Sequence, residues 1–214
     1  NEPHIKIFEE ERELTMMLVV DVSGSKQFGT HEQFKNEFVT EIAATLAFSA
    51  TQNNDKIGLV LFSSDVELFI PPKKGRPHVL RIIRELLEFK PKKKQTDISE
   101  ALRFLSSVLK KKAIVFLLSD FMATDYKQNL KIMAGKHDVT GIRVYDRSEV
   151  EIPKLGLVQM VDQETRRSIL VNTNLKRVRQ SYANLQSEQV NYFKDSFKKA
   201  GAGCLDCRTD ESYV

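Results

Sequence analysis

"LVVDVSGSKQFG", residues 18–29, begins as an apolar run and turns polar at a single position, Asp21. The run it closes, "ELTMMLVVD" over residues 13–21, reads as a strand buried on both faces, as strands of parallel sheets are. Asp21, Ser23 and Ser25 then alternate with Val22 and Gly24. Three side chains at that spacing share one direction wherever the backbone stays extended, and Gly24 lets the chain turn tightly between the two serines. A buried strand therefore leaves the core through a row of oxygen donors.

The elements around this strand define the fold class. "THEQFKNEFVTEIAATLAFSATQNND" follows, with Phe34, Phe38, Ile42, Leu46 and Ala50 spaced in fours along one helical face. "KIGLVLFS" and "VELFI" are two strands around "SD", a tight hairpin. The second is expected to stop at Ile70, where "PPKKGRP" begins. "HVLRIIRELLEF" is an amphipathic helix. "TDISEALRFLSSVLKKK" opens another, with Asp97 as N-cap and Glu100 three residues on. "AIVFLLSD" is a second buried strand, "YKQNLKIMAGK" a helix and "HDVTGIRVYD" a strand. Strands alternating with helices specify an α/β fold with a doubly wound, mainly parallel sheet. Residues 157–173 interrupt the rhythm as an inserted β-hairpin around a polar turn at 162–166. A long helix over about 175–200 and a last strand over 204–208 complete the series.

Composition bounds the rest. The 214 residues suit one α/β domain over residues 1–214, and 41% hydrophobic residues are enough to fill its core. A net charge of +4 is far from the clustered basicity of a dedicated nucleic-acid binder. No apolar run reaches the ~18 residues of a membrane span. The opening on Asn1 rather than Met, and the halt at Val214 without a helix to cover the last strand, read as trimmed ends. Cys204 and Cys207 have CxxC spacing, but "AGAGCLDCRTD" reads as a strand, where an offset of three points the thiols to opposite faces. So few cysteines fit a reducing, cytoplasmic setting.

In open α/β sheets ligands bind beyond the carboxyl ends of the strands, where the strand order reverses. Three polar clusters fall at such positions: Asp21-Val22-Ser23-Gly24-Ser25, Thr96-Asp97 and Ser119-Asp120. All offer oxygen, the chemistry a hard divalent cation requires. Asp21 and Asp120 supply charge; Ser23, Ser25 and Thr96 supply neutral hydroxyls. Such a site carries little formal negative charge, so a bound ion stays electrophilic and favours a carboxylate arriving from a partner. This is recognition chemistry, with no need of a general base.

"DVSGS", the later "TD" and "LLSDF" resemble the metal-ion-dependent adhesion site of von Willebrand factor A domains. More narrowly, "KIFEEERELTMMLVVDVSGS" with "TEIAATLAFSA" and "NDKIGLVLFS" is similar to the bacterial domain-of-unknown-function family fifty-eight, often encoded beside MoxR-type AAA+ ATPases. The resemblance implies metal ligands at Asp21, Ser23, Ser25, Thr96 and Asp120, with Mg2+ (or Mn2+ or Ca2+) as the ion. It implies a sheet ordered 3-2-1-4-5-6 with the third strand antiparallel, and a non-enzymatic protein-binding role alongside such an ATPase in assembly or chaperone-like work. Three positions depart from the family pattern: Lys26 where methionine is common, Gln95 in place of a glycine, and "SDF" rather than "TDG".

Two other function classes meet this sequence less well. A Mg2+-dependent phosphoryl-transfer enzyme can use an aspartate such as Asp21 as nucleophile, but haloacid-dehalogenase-like phosphatases need an acid two residues on, where this chain has Ser23. "GSKQFG" is not a phosphate-binding GxxxxGK[ST] loop, and no GxSxG elbow occurs. His4, His31, His78 and His137 are scattered without a triad pattern. The basic runs "PPKKGRP", "KPKKK" and "KKK" lack the interleaved aromatic residues of a nucleic-acid platform. Lys90 to Lys94, just before Thr96, are placed to steer an acidic partner toward the site.

Overall fold

The structure, a computed structural model, describes residues 13–23, 30–93, 95–161 and 168–210. A six-stranded sheet organises them. Its strands are β1 (Thr15–Asp21), β2 (Lys56–Phe62), β3 (Val66–Lys73), β4 (Ile114–Ser119), β5 (Asp138–Tyr145) and, after the insertion, β8 (Gly203–Arg208). They lie in the order β3-β2-β1-β4-β5-β8. Only the β2–β3 pair is antiparallel. This is the arrangement that the family resemblance implies. From β1 the chain first builds outward to β2 and β3, then returns to the other side of β1 with β4. The strand order thus reverses beside Asp21.

Helices cover both faces. α1 (Thr30–Gln52) and α2 (Arg76–Glu88) pack on one side, where Phe38, Ile42, Val79 and Ile82 meet Leu18, Val20, Leu59 and Leu61. Ala43, Ala47 and Ala50 are fully buried along α1 and keep its contact surface small. The side chain of Phe34 lies outside the described part of the molecule. On the other side are α3 (Ile98–Val108), α4 (Lys127–Ala134) and α6 (Lys176–Ala200). They pack over Met17, Val19, Val115 and Leu117. The alternation of side chains along β1 therefore feeds two separate apolar layers, the reason its sequence is apolar throughout.

Local chemistry explains the element ends. Asp97 caps α3, its carboxylate accepting from the Glu100 N–H at 2.9 Å. Gly201, at φ 73°, closes α6 in the left-handed conformation. Gly141 of β5 has no side chain because α6 needs the space: a Cβ there would stand 2.5 Å from the Phe197 ring.

β3 corrects one expectation. It does not stop at Ile70 but continues through Pro71 and Pro72 to Lys73, paired with Ile57 across a register shift. β3 is the edge of the sheet, and prolines are tolerated on edges, where the missing N–H faces outward. The inserted hairpin is present as β6 (Leu157–Val161) and β7 (Ser168–Asn172), an antiparallel pair separate from the main sheet. The turn expected at 162–166 lies outside the described residues. A short helix, α5 (Arg147–Val150), precedes the hairpin and was not foreseen. Cys204 and Cys207 fall on β8 as expected of a strand, unpaired, Cys204 exposed and Cys207 packed toward the α1 face.

Candidate metal centre

The site begins where β1 ends. Val22 still donates to the Phe62 carbonyl at 2.8 Å, so the strand pairing carries one residue past Asp21. The chain then turns, and Asp21 Oδ1 accepts from both the Ser23 N–H at 2.9 Å and the Ser23 hydroxyl at 2.6 Å. This is the local Asx geometry that aspartate offers at the end of a regular element.

Thr96 arrives from across the crevice. The Asp97 N–H donates to the Ser63 carbonyl at 2.8 Å, tying the loop before α3 to the β2–β3 turn. Ser63 is fully buried and donates its hydroxyl to Glu67 at 2.5 Å, and Glu67 accepts from the Lys92 N–H at 2.8 Å. Held in this way, the Thr96 hydroxyl reaches the Ser23 hydroxyl in a short contact over seventy-three positions of sequence. Gln95, where the family pattern has glycine, is exposed just ahead of it.

β4 supplies the third side. Its register sets Leu118 beside Val20, so Ser119 and Asp120 emerge next to Asp21. Ser119 donates its hydroxyl to Asp21 Oδ2 at 2.7 Å and accepts from the Phe121 N–H at 3.1 Å. Asp120 Oδ1 accepts from the Met122 N–H at 3.1 Å. Phe121 follows at φ 56°, the left-handed region that an aromatic residue seldom enters. Burial accounts for it: the ring is 1% exposed, stacked 4.2 Å from Phe193 and edge-on to Phe197 at 5.4 Å. Phe121 thus holds a backbone conformation that glycine adopts freely, fixed here by packing of its ring on α6.

Of the five residues singled out in the sequence, Asp21, Ser23, Thr96 and Asp120 converge. Ser25 lies outside the described residues, as does Lys26. The sequence offers Ser119 as an oxygen donor at a strand end, but its bond to Asp21 follows from the β1–β4 register, which one sequence does not print. One participant has no signal in the sequence motifs. Lys35, on the second turn of α1, places its ammonium 3.8 Å from Asp120 and 2.9 Å from Glu149 of α5.

Two carboxylates, Asp21 and Asp120, dominate the electrostatics of the described part of the crevice, with the Lys35 ammonium beside Asp120. Burial pushes the Asp21 carboxyl up to about 6, the nearby Asp120 adds to the shift, and the Ser23 and Ser119 hydrogen bonds only partly oppose it. Among the described residues the donors to Asp21 are neutral hydroxyl and amide groups. Burial works against the charge of Lys35, but Asp120 and Glu149 outweigh it and hold the amine protonated, its pKa raised. Among the described residues no three or more His, Cys, Asp or Glu side chains gather to hold an ion. An ion here would depend on hydroxyls as well as on Asp21 and Asp120. The donor set fits a hard cation such as Mg2+, since every converging group is an oxygen and none is sulfur or imidazole.

A doubly wound sheet with an oxygen-lined crevice at its reversal point, and an antiparallel third strand, is the class of protein that the von Willebrand factor A resemblance implies. The chain belongs to the family described as protein of unknown function DUF58, whose model matches residues 1–192. It is similar to uncharacterized protein Rv1480 of Mycobacterium tuberculosis, 25% identical over 217 residues that take in 99% of this chain and 68% of that protein. It also resembles uncharacterized protein MAV169 of Mycobacterium avium, 24% identical over 150 residues, or 68% of this chain and 87% of that protein. Among solved structures, conserved hypothetical protein BatB from Bacteroides thetaiotaomicron superposes with a TM-score of 0.56 at 15% identity, covering 91% of this chain and 90% of BatB. An aerotolerance-related membrane protein from Bacteroides fragilis gives 0.53 at 16% identity, covering 86% of this chain and 99% of that one. At those identities the likeness concerns the fold. In this chain, among the described residues, no helix is long and apolar enough to cross a membrane.

Proposed function

We propose that this chain is a non-enzymatic protein-binding module in which a divalent cation, Mg2+ or the similar Mn2+ or Ca2+, sits among Asp21, Ser23, Thr96 and Asp120, with Ser25 as a further hydroxyl ligand. One observation carries the reading: Asp21 and Ser23 at the end of β1, Thr96 before α3 and Ser119 at the end of β4 share one chain of hydrogen bonds at the reversal point of the sheet. Asp21 supplies charge that the described surroundings leave without a cation in direct contact, and Asp120 adds a second carboxylate. The hydroxyls supply neutral oxygen. The ion's chemistry would be that of a Lewis acid offering a coordination position to a carboxylate of a partner protein.

The partner surface in this reading comprises these three segments and the β6–β7 hairpin, where Leu157, Ile169 and Leu170 are each more than 60% exposed. The family resemblance supports a MoxR-type AAA+ ATPase as the machine it works with. A cytoplasmic setting belongs to the same proposal and rests on the two unpaired cysteines. The nucleic-acid reading loses support from local charge pairing: Lys93 bonds to Asp65, and Lys112 lies 3.6 Å from Asp138. Pairing at Lys93 also leaves less of the basic run to steer an acidic partner. No observation favours phosphoryl transfer over recognition at Asp21.

The direct test is affinity capture of partners with the wild-type chain and Asp21→Ala, each with Mg2+ and with EDTA. A partner retained by wild type in Mg2+, and lost both in EDTA and with Asp21→Ala, supports the proposal. A partner retained equally under all four conditions contradicts the role given to the ion.

A further inference from the structure

Lys35 is the one cation that the described residues bring to this crevice at salt-bridge distance, and neither the adhesion-site pattern nor the spacing of the sequence motifs calls for it. It reaches the site from α1, with 20% of its side chain exposed. Its ammonium bonds both oxygens of Glu149, at 2.9 and 3.1 Å, and stands 3.8 Å from Asp120 Oδ2. Glu149 is itself anchored: its carbonyl accepts from the Tyr182 hydroxyl of α6 at 2.9 Å, and that hydroxyl accepts from Gln186 at 3.2 Å. The lysine is thus shared between a carboxylate of the site and one outside it, and the outer one holds it more closely.

Two cations cannot both approach Asp120 at short range without mutual repulsion, which a partly dehydrated crevice screens poorly. Without a metal ion, Lys35 offsets the charge of Asp120 and, at longer range, that of Asp21. With an ion bound, its favourable position is Glu149 alone. We propose that Lys35 is a tethered counter-ion that competes with the divalent cation for Asp120, and that Glu149 is the positioning residue that draws Lys35 aside so the cation can enter. This rests on the metal-site reading of the preceding subsection. It adds a consequence that reading lacks: ion affinity is set by a salt bridge between α1 and α5, so whatever moves α5, which leads into the β6–β7 hairpin, changes how tightly the ion is held.

The test is calorimetric titration of Mg2+ and Mn2+ into wild type, Lys35→Met, Glu149→Gln and the double variant. Methionine keeps the apolar stem and removes the charge. Lys35→Met is expected to bind the ion about tenfold more tightly, as for removal of a unit charge a few ångströms away. Glu149→Gln is expected to bind it several-fold more weakly, because Lys35 then closes on Asp120. The double variant should match Lys35→Met, since Glu149 acts through the lysine. A second readout is thermal unfolding: in EDTA, Lys35→Met should melt below wild type, and the ion should raise its melting temperature by more. Wild-type affinity in Lys35→Met overturns the proposal while leaving the metal site standing. An equal loss from Glu149→Gln with and without Lys35 overturns the role of Glu149. Failure of wild type and every variant to bind any ion overturns this proposal and the metal-site reading together.

Discussion

Ser23 and Thr96, seventy-three positions apart, meet through their hydroxyl oxygens beside the carboxylate of Asp21. The contact joins the end of β1 to the loop before α3. Removing one oxygen while preserving shape isolates its part. Thr96→Val should lower Mg2+ or Mn2+ affinity roughly tenfold to a hundredfold, the range for loss of a group that supports a metal site. Thr96→Ser should stay near wild type. Calorimetry of the three proteins checks this, and equal affinity in Thr96→Val would remove Thr96 from the site.

Asp21 should work against the stability of the ion-free fold. Its folded pKa, about 6, lies above the ordinary 3.8. The carboxyl therefore favours folding below pH 3.8, and that contribution is lost as pH rises through about 6. At pH 7.5 in EDTA, Asp21→Asn should be more stable than wild type, by on the order of 3 kcal/mol for a shift of this size. The same variant should lose its response to Mg2+. Urea unfolding with and without the ion measures both effects.

Phe121 pairs an unfavourable backbone with a well-buried ring. Phe121→Ala should cost about 3–5 kcal/mol of stability through the cavity it leaves. In most positions glycine is worse than alanine, but at φ 56° it escapes the left-handed penalty of about 1 kcal/mol. Phe121→Gly should therefore be no less stable than Phe121→Ala. Denaturant midpoints decide the order. Because Phe121 follows Asp120 directly, both variants should also weaken ion binding.

Gly141→Ala should destabilise by about 1–3 kcal/mol, the usual cost of overpacking. The added methyl meets the Phe197 ring at 2.5 Å and that of Phe193 at 2.9 Å, and both rings are buried in the core. Shortening the opposing ring in Gly141→Ala/Phe197→Leu should recover part of the loss. No recovery would contradict this account of α6 packing.

His137 gives the fold a dependence on mild acid. Its Nδ1 accepts from the Ala113 N–H at 3.2 Å, its buried Nε2 has no hydrogen-bond partner, and burial with the neighbouring Lys136 holds its pKa below 6.5. A base whose folded pKa is lowered contributes its full stability above the unfolded value, and loses it as pH falls below 6.5 toward the folded value. His137→Asn keeps an acceptor and should flatten that part of the stability profile between pH 7 and 5. An unchanged slope would assign it to other groups.

Much of this molecule is legible in its residues. The unbroken apolar run of β1, the capping pair Asp97 and Glu100, and the alternation of elements all report local physics, and each stands where the sequence places it. The oxygen donors were also legible, because Asp21, Ser23, Thr96 and Asp120 follow directly on buried strands or precede a helix. The rest depends on register and long-range approach. Ser119 reaches Asp21 only because β4 lies beside β1 in one register. Lys35 and Glu149 meet across 114 positions, joining two helices that no local signal pairs. Pro71 and Pro72 read as breakers until β3 is known to be an edge.

The central claim is that these oxygens hold a divalent cation, and the most direct measurement is a calorimetric titration of Mg2+ and Mn2+ into the wild-type chain and Asp21→Ala at pH 7.5. Saturable binding near one ion per chain in wild type, absent from Asp21→Ala, is the expected result. Negligible heats for both proteins with both ions, or equal binding by the two proteins, would contradict it.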